Sequence, residues 1–167
     1  PGMTIILDGG RTTYAVAPLL AEKRVRVINN SLPVASLFGE IGNVETTVTG
    51  GSIYGRLGIL VGPLCEQSFE QVHADLALLG GTGITESGIW NHNALIIAAQ
   101  RKMIAAAEHT IFALDGSKFG RKALSLTTPF KPRFTIVTET RPSLVVIMAI
   151  HAAGAKLALA EKKPAHG

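Results

Sequence analysis

Two glycine-rich segments carry residues able to hold an anion. Asp8-Gly9-Gly10-Arg11-Thr12-Thr13 follows the apolar run 4–7 and precedes a helical pattern. Glycines let backbone N–H groups approach a ligand closely, and the start of a helix adds partial positive charge. Thr12 and Thr13 can cap that helix or donate hydroxyls to a phosphate oxygen. Asp115-Gly116-Ser117-Lys118-Phe119-Gly120-Arg121 follows the run 110–114. There Asp115 can accept sugar hydroxyls while Lys118 supplies a point charge for phosphate or carboxylate. Taken singly, the first segment reads better as a plain glycine-rich turn with a threonine cap, and the second as a surface turn with two solvated bases. Asn29-Asn30-Ser31 and Thr49-Gly50-Gly51 are weaker still, being common punctuation between strand and helix.

Other chemistries find no support. Gly-x-x-x-x-Gly-Lys, Gly-x-Gly-x-x-Gly and Gly-x-Ser-x-Gly are all missing, so neither a nucleotide cofactor nor a serine nucleophile is expected. The five histidines show neither His-Glu-x-x-His nor paired Cys/His spacing, so no metal site is expected. Among them only His92, beside Trp90-Asn91, is kept as a ligand candidate. Cys65 falls on the apolar side of a helical pattern and reads as a small buried hydrophobe.

The elements that must position these residues alternate along the chain. Apolar runs at 4–7, 25–28, 44–49, 76–79, 110–114, 134–137 and 155–160 predict strands, most of them followed by small polar residues. Continuous rather than alternating runs are what strands buried on both faces look like. Helical patterns fall at 63–73, 93–107 and 143–152. In 63–73, Leu64, Cys65, Ser68, Phe69 and Val72 share one face behind Pro63 at a first helical position. In 93–107, Gln100, Arg101 and Lys102 form the polar side. A fourth candidate, 12–22, contains Pro18, which predicts a kink or a late start. The stretch 144–160 is interrupted by His151, Gly154 and Lys156, and so reads as a buried helix followed by a strand rather than a membrane span. This alternation predicts an α/β fold, Rossmann-like, with a mostly parallel sheet and helices on both faces. Ligands of such sheets bind outside the carboxyl ends of the strands, where the glycine-rich clusters lie.

With 167 residues, 47% of them hydrophobic and 17% charged, the chain suits one packed domain and is not intrinsically disordered. A single cysteine excludes a disulfide framework and fits a reducing, cytoplasmic compartment. The net charge of +4 is uneven, with 11 of the 16 Lys and Arg after residue 100. Those bases stand singly or in pairs with few aromatics between them, which disfavours a nucleic-acid stripe. An opening Pro1-Gly2, without Met and without a secretory leader, suggests a fragment or a processed chain.

Taken in order, these segments resemble the C-terminal effector domain of the DeoR family of bacterial sugar-metabolism repressors. The matching residues are Ile6-Leu7-Asp8-Gly9-Gly10 with Thr12-Thr13, Asn30-Ser31-Leu32, Thr49-Gly50-Gly51 and Leu60-Val61-Gly62-Pro63-Leu64. Ala74-Asp75 before Leu79-Gly80, then Arg101, Met103-Ile104 and Asp115-Gly116-Ser117-Lys118-Phe119-Gly120, complete the set, which spans about residues 2–162. The resemblance implies the fold shared with ribose-5-phosphate isomerase, glucosamine-6-phosphate deaminase and CoA transferases. It implies a phosphorylated sugar or related anionic metabolite as effector. The expected ligand-binding residues are Asp8, Gly9, Gly10, Arg11, Thr12, Thr13, Asn30, Ser31, Gly50, Gly51, Gly81, Thr82, His92, Asp115 and Lys118. Residues 1–167 are then a single effector-binding domain, with no cofactor and no membrane contact, and a homo-oligomer is expected. DNA would be reached only through an N-terminal winged helix-turn-helix that this chain lacks.

The chain departs from the family pattern in places. Gly80-Gly81-Thr82-Gly83-Ile84-Thr85 stands where the family carries an acidic Gly-Ala-Asp-Gly-Ile-Asp, and Leu95 and Ile96 stand where it carries a Glu pair. Thr82, Thr85, Leu95 and Ile96 supply no general base, which disfavours the alternative, a sugar-phosphate isomerase or deaminase on the same fold. Arg11 replaces a usual Thr or Ser, pointing to a more anionic or differently shaped ligand.

Overall fold

A computed structural model describes residues 2–161. The readings that fall on Pro1, Lys162 and His166 lie outside the described residues. In chain order the elements are β1 (Met3–Leu7), α1 (Arg11–Leu20), β2 (Val25–Asn29), α2 (Leu32–Ile41), β3 (Glu45–Val48), β4 (Ser52–Tyr54) and β5 (Ile59–Val61). They continue with α3 (Pro63–Glu70), β6 (Ala74–Leu79), β7 (Gly83–Thr85), β8 (Gly88–Asn91) and α4 (Ala94–Ala106). The last are β9 (Ala107–Ala113), β10 (Ser125–Thr128), β11 (Phe134–Thr138), α5 (Leu144–Ala152) and β12 (Lys156–Leu159).

Among these residues a seven-stranded sheet runs in the order β12-β11-β9-β6-β1-β2-β3. Every pairing in it is parallel. Neighbouring residues of its central strands face opposite sides, so both faces are buried and the runs read as continuous. Ile6, Ile28, Leu79 and Phe112 pack with Cys65, Phe69, Met103 and Ile150 of α3, α4 and α5. Leu7, Val27 and Leu78 pack on the other side with Ala17, Val34 and Phe38 of α1 and α2. The α/β reading thus holds, with three helices on one face and two on the other.

Several local readings change. The helix carrying Pro18 starts at Arg11 without delay, and Pro18 sits in its last turn, where Ala21 N–H closes on the Pro18 carbonyl at 3.2 Å. A proline there deprives one carbonyl, that of Tyr14, of its donor without ending the helix. In α3, Cys65 and Phe69 are buried as the pattern predicts, but Leu64 is 63% exposed. Nor is α5 a fully buried helix. Val146 and Ile150 face the core, while Leu144, Val145 and Met148 face outward beside the edge strand β12. None of the described helices is long and apolar enough to cross a membrane.

The sequence reading omits α2, although Ser31 caps it, Pro33 sits in its first turn, and Gly42 ends it at φ 73°. It also omits two small antiparallel sheets, the hairpin β4–β5 and the three strands β10-β8-β7. Both matter, because they wall the carboxyl end of the main sheet.

Candidate functional site

A cavity of about 260 Å³ opens at the carboxyl ends of β1, β6 and β9. Asp8, the residue after β1, forms its floor and is 2% exposed. One carboxylate oxygen accepts from Gln100 Nε2 at 2.7 Å and from the Gly80 N–H at 3.4 Å. The same Gln100 amide donates to the Gly80 carbonyl at 3.0 Å, while its Oε1 accepts from Asn91 Nδ2 at 3.3 Å. Asn91, Gln100 and Asp8 therefore form one buried chain of hydrogen bonds joining β8, α4 and β1. Burial pushes the Asp8 carboxyl up to about 6, against the opposing pull of Gln100 and the Gly80 and Gly9 N–H groups.

The N-terminus of α1 faces this floor. Its first helical bond runs from the Tyr14 N–H to the Gly10 carbonyl at 2.9 Å, so the N–H groups of Arg11, Thr12 and Thr13 precede the helical ladder. Gly10, Arg11, Thr12 and Thr13 all line the cavity. Thr13 Oγ1 is spent on the Gly10 carbonyl at 3.1 Å, leaving Thr12 as the hydroxyl available to a ligand. Gly9 is needed for packing, since a Cβ there would come within 2.6 Å of Ile59 Cγ1. A Cβ on Gly10 would meet only Thr13 Oγ1, at 3.5 Å, an ordinary contact.

The opposite wall is the turn after β9. The Ser117 N–H donates to Asp115 Oδ1 at 2.9 Å and the Gly116 N–H to Glu139 Oε1 at 2.9 Å, which fixes the turn. Lys118 Nζ stands 4.0 Å from Asp115 Oδ2. The Ser117 hydroxyl hydrogen bond above all, helped by Lys118 and Arg11, holds the Asp115 carboxyl below its usual range. Arg11 at the start of α1 and Lys118 after β9 thus both lie near the Asp115 carboxylate.

The third wall comes from the loop after β6 and the strand β8. Gly81 is closely fitted, because a Cβ would come within 2.9 Å of Ile89 Cγ2. Thr82 Oγ1 donates to the Trp90 carbonyl at 3.2 Å, and Thr85 Oγ1 accepts from the Trp90 indole at 2.9 Å. Both threonines are committed to the hairpin. Leu95 is exposed, and Ile96 lines the cavity as an apolar wall.

The cavity thus gathers Asp8, Gly9, Gly10, Arg11, Thr12, Thr13, Gly81, Thr82, His92, Asp115 and Lys118. It does not gather Asn30, Ser31, Gly50 or Gly51, which support it from behind. Asn30 Nδ2 donates to the Leu60 carbonyl at 2.9 Å and its own carbonyl accepts from the Leu60 N–H at 2.7 Å, pinning β5. Ser31 caps α2. The Gly50 N–H meets Ser68 Oγ at 3.3 Å, and Gly51, at φ 132°, would press a Cβ to 2.7 Å from the Val61 carbonyl. Sequence reasoning missed Gln100 and Asn91. The one signal for Gln100 was an uncharged polar residue inside the run Leu95 to Met103, assigned above to the outward side although it is 1% exposed. Among the described residues, no three His, Cys, Asp or Glu cluster to hold a metal ion.

Known proteins agree with this architecture. The chain is 31% identical over 119 residues to an L-fucose operon activator of Haemophilus influenzae, covering 71% of this chain and 48% of that protein. A glycerol-3-phosphate regulon repressor of Escherichia coli K12 is 26% identical, with 89% of this chain and 60% of that protein covered. The HTH-type transcriptional repressor GlcR of Bacillus subtilis is 27% identical, with 96% and 62% covered. The chain spans about half the length of the first two of the curated relatives it matches. Among solved structures, a D-ribose-5-phosphate isomerase in complex with phospho-erythronic acid superposes with a TM-score of 0.50 at 17% identity, covering 70% of this chain and 46% of that one. The tetrameric eIF2B-beta2-delta2 complex of C. thermophilum gives 0.51 at 16% identity, covering 75% and 39%. At such identities these two show the fold alone. The family model of the DeoR C-terminal sensor domain matches residues 1–140, and the chain belongs to that family.

Proposed function

We propose that the cavity binds a phosphorylated sugar or a related anionic metabolite and reports its presence without turning it over. One observation carries the reading: the unbonded first turn of α1, Arg11 and Lys118 face the same cavity as a buried polar network. The phosphate sits on the α1 amides, Thr12 and Lys118, where N–H dipoles and charge act together. The sugar hydroxyls meet Asp8, Asn91, His92 and Asp115. The names of two relatives, tied to L-fucose and to glycerol 3-phosphate, support a polyol ligand. Sensing would then reach DNA through a separate N-terminal domain, in a cytoplasmic homo-oligomer.

Asp8 supports a second reading, since a buried carboxyl near 6 suits proton abstraction. Its hydrogen bonds to Gln100, Gly80 and Gly9 favour an anchoring role instead. Solvent deuterium exchange into the carbon skeleton of fructose 6-phosphate separates the two. Protein-dependent exchange, lost in Asp8→Asn, establishes the enzyme reading.

The sensor reading is tested by thermal shift and calorimetry against glycerol 3-phosphate, glucose 6-phosphate, fructose 6-phosphate, the free sugars and acyl-CoA. A ligand at 100 times its Kd stabilises by ~2.7 kcal/mol. Response to free sugars or acyl-CoA alone overturns the phosphate assignment.

A further inference from the structure

A second chamber adjoins the cavity, and its wall carries two arginines. It measures about 220 Å³ and shares Gly10, Arg11 and Leu57 with the first. Its remaining wall is Tyr14, Ser31, Pro33 and Arg56, so Ser31 lines this chamber rather than the first, and no carboxylate does. Among the described residues neither Arg11 nor Arg56 forms a salt bridge. A guanidinium presents a planar fork suited to phosphate or carboxylate, and the Tyr14 phenol adds a donor.

The Arg56 side chain is exposed, but the backbone that carries it is pinned. It lies on a single 3-10 turn, Gly55–Leu57, between β4 and β5. The Leu32 N–H holds the Gly58 carbonyl at 2.9 Å, Ser31 bridges Ile59, and Ile59 fills the space left by the missing side chain of Gly9. The turn is thereby fixed against the start of α2, with Leu57 as the partition between the chambers. Arg11 and Tyr14 stand three residues apart on α1, so their side chains share one face of the helix. Each chamber alone is smaller than the ~300 Å³ at which ligand pockets begin, and the two joined reach that range.

We infer that the effector carries two anionic groups at opposite ends of a short polyol, one on the α1 amides and Lys118, the other between Arg56, Arg11 and Tyr14. The shared chemistry is a sugar bisphosphate or a phosphorylated sugar acid. The inference rests on the reading that the cavity holds a sugar phosphate.

Calorimetry with the full chain tests it, using fructose 6-phosphate, fructose 1,6-bisphosphate and 6-phosphogluconate at matched ionic strength. At least one doubly anionic probe should bind about tenfold tighter than the monophosphate or better. Tightening with the bisphosphate alone assigns the second group as phosphate, and with phosphogluconate alone as carboxylate. Arg56→Gln should remove the advantage, weakening the doubly anionic probe far more than the monophosphate, with an unchanged circular dichroism spectrum. Equal affinity for all three probes overturns the inference and leaves the sugar-phosphate reading standing, as does Arg56→Gln weakening all three alike. Failure of all three probes to bind overturns the inference, and the sugar-phosphate reading falls with it only if glycerol 3-phosphate and glucose 6-phosphate also fail.

Discussion

Replacing Asp8 with Asn should change how stability depends on pH. Asp8 is 2% exposed and its carboxyl is pushed from 3.8 to about 6 by burial. The folded chain therefore holds this proton more tightly than the unfolded chain does. Between those two values the native state carries one more proton than the unfolded state, so its stability falls as pH rises. The contribution is fully present below about pH 4, is lost as pH rises through 6, and is flat above about 7. A shift of about two units corresponds to roughly 3 kcal/mol between the ends of that window. The difference between wild type and Asp8→Asn separates this contribution from that of every other ionisable group. Urea unfolding at half-unit steps from pH 4 to 8 measures it. The stability of wild type relative to the variant should fall by about 3 kcal/mol across the window and then level off. Parallel curves would refute the argument, because they would mean that Asp8 ionises in the fold as easily as in water.

Other predictions follow from single contacts. Lys118→Ala should weaken phosphorylated-sugar binding tenfold to a hundredfold, since a charge-assisted hydrogen bond contributes ~1.5–3 kcal/mol. The loss should persist at high salt, and equal affinities there would show that Lys118 acts only through screened attraction. Gly9→Ala should cost roughly 1–3 kcal/mol by overpacking Ile59, whereas Gly10→Val should leave the melting temperature nearly unchanged and still abolish binding. A large thermal loss in Gly10→Val would instead make that residue structural. Gln100→Leu should destabilise the fold by roughly 1–3 kcal/mol, because it leaves the Asp8 carboxylate buried without its shortest donor. A neutral result in thermal unfolding would show that water replaces the amide.

What the sequence makes legible here is what depends on local pattern. Runs such as 76–79 and 110–114 mark central strands because burial on both faces removes polar residues from them. That Asp8, Gly10, Thr12 and Lys118 line one cavity is legible because strand ends of a parallel sheet share one edge, which brings the turns after β1 and β9 to the same side. The hairpin β4–β5 is not legible. Its strands are three residues each, and Ser52, Ile53 and Leu57 face solvent, so neither length nor burial leaves a period to read.

Gln100 shows the deeper limit. In α4, buried residues fall at 96, 97, 99, 100, 103 and 104, so the helix has little polar face against which an inward glutamine would stand out. Arg101 and Lys102 follow it, and their charge draws the eye to an outward-facing side. What turns Gln100 inward is a partner 92 residues away in the sequence, a carboxylate whose burial needs a donor. The pairing is set by the parallel order β6-β1, which places the Gly80 turn beside Asp8, and by the crossing of α4 over both. Topology supplies that proximity, while the residue types supply only the need for it. A buried acid predicted at a strand end is thus a reason to search the sequence for an amide or hydroxyl on an otherwise apolar helix, and in this chain Gln100 meets that description.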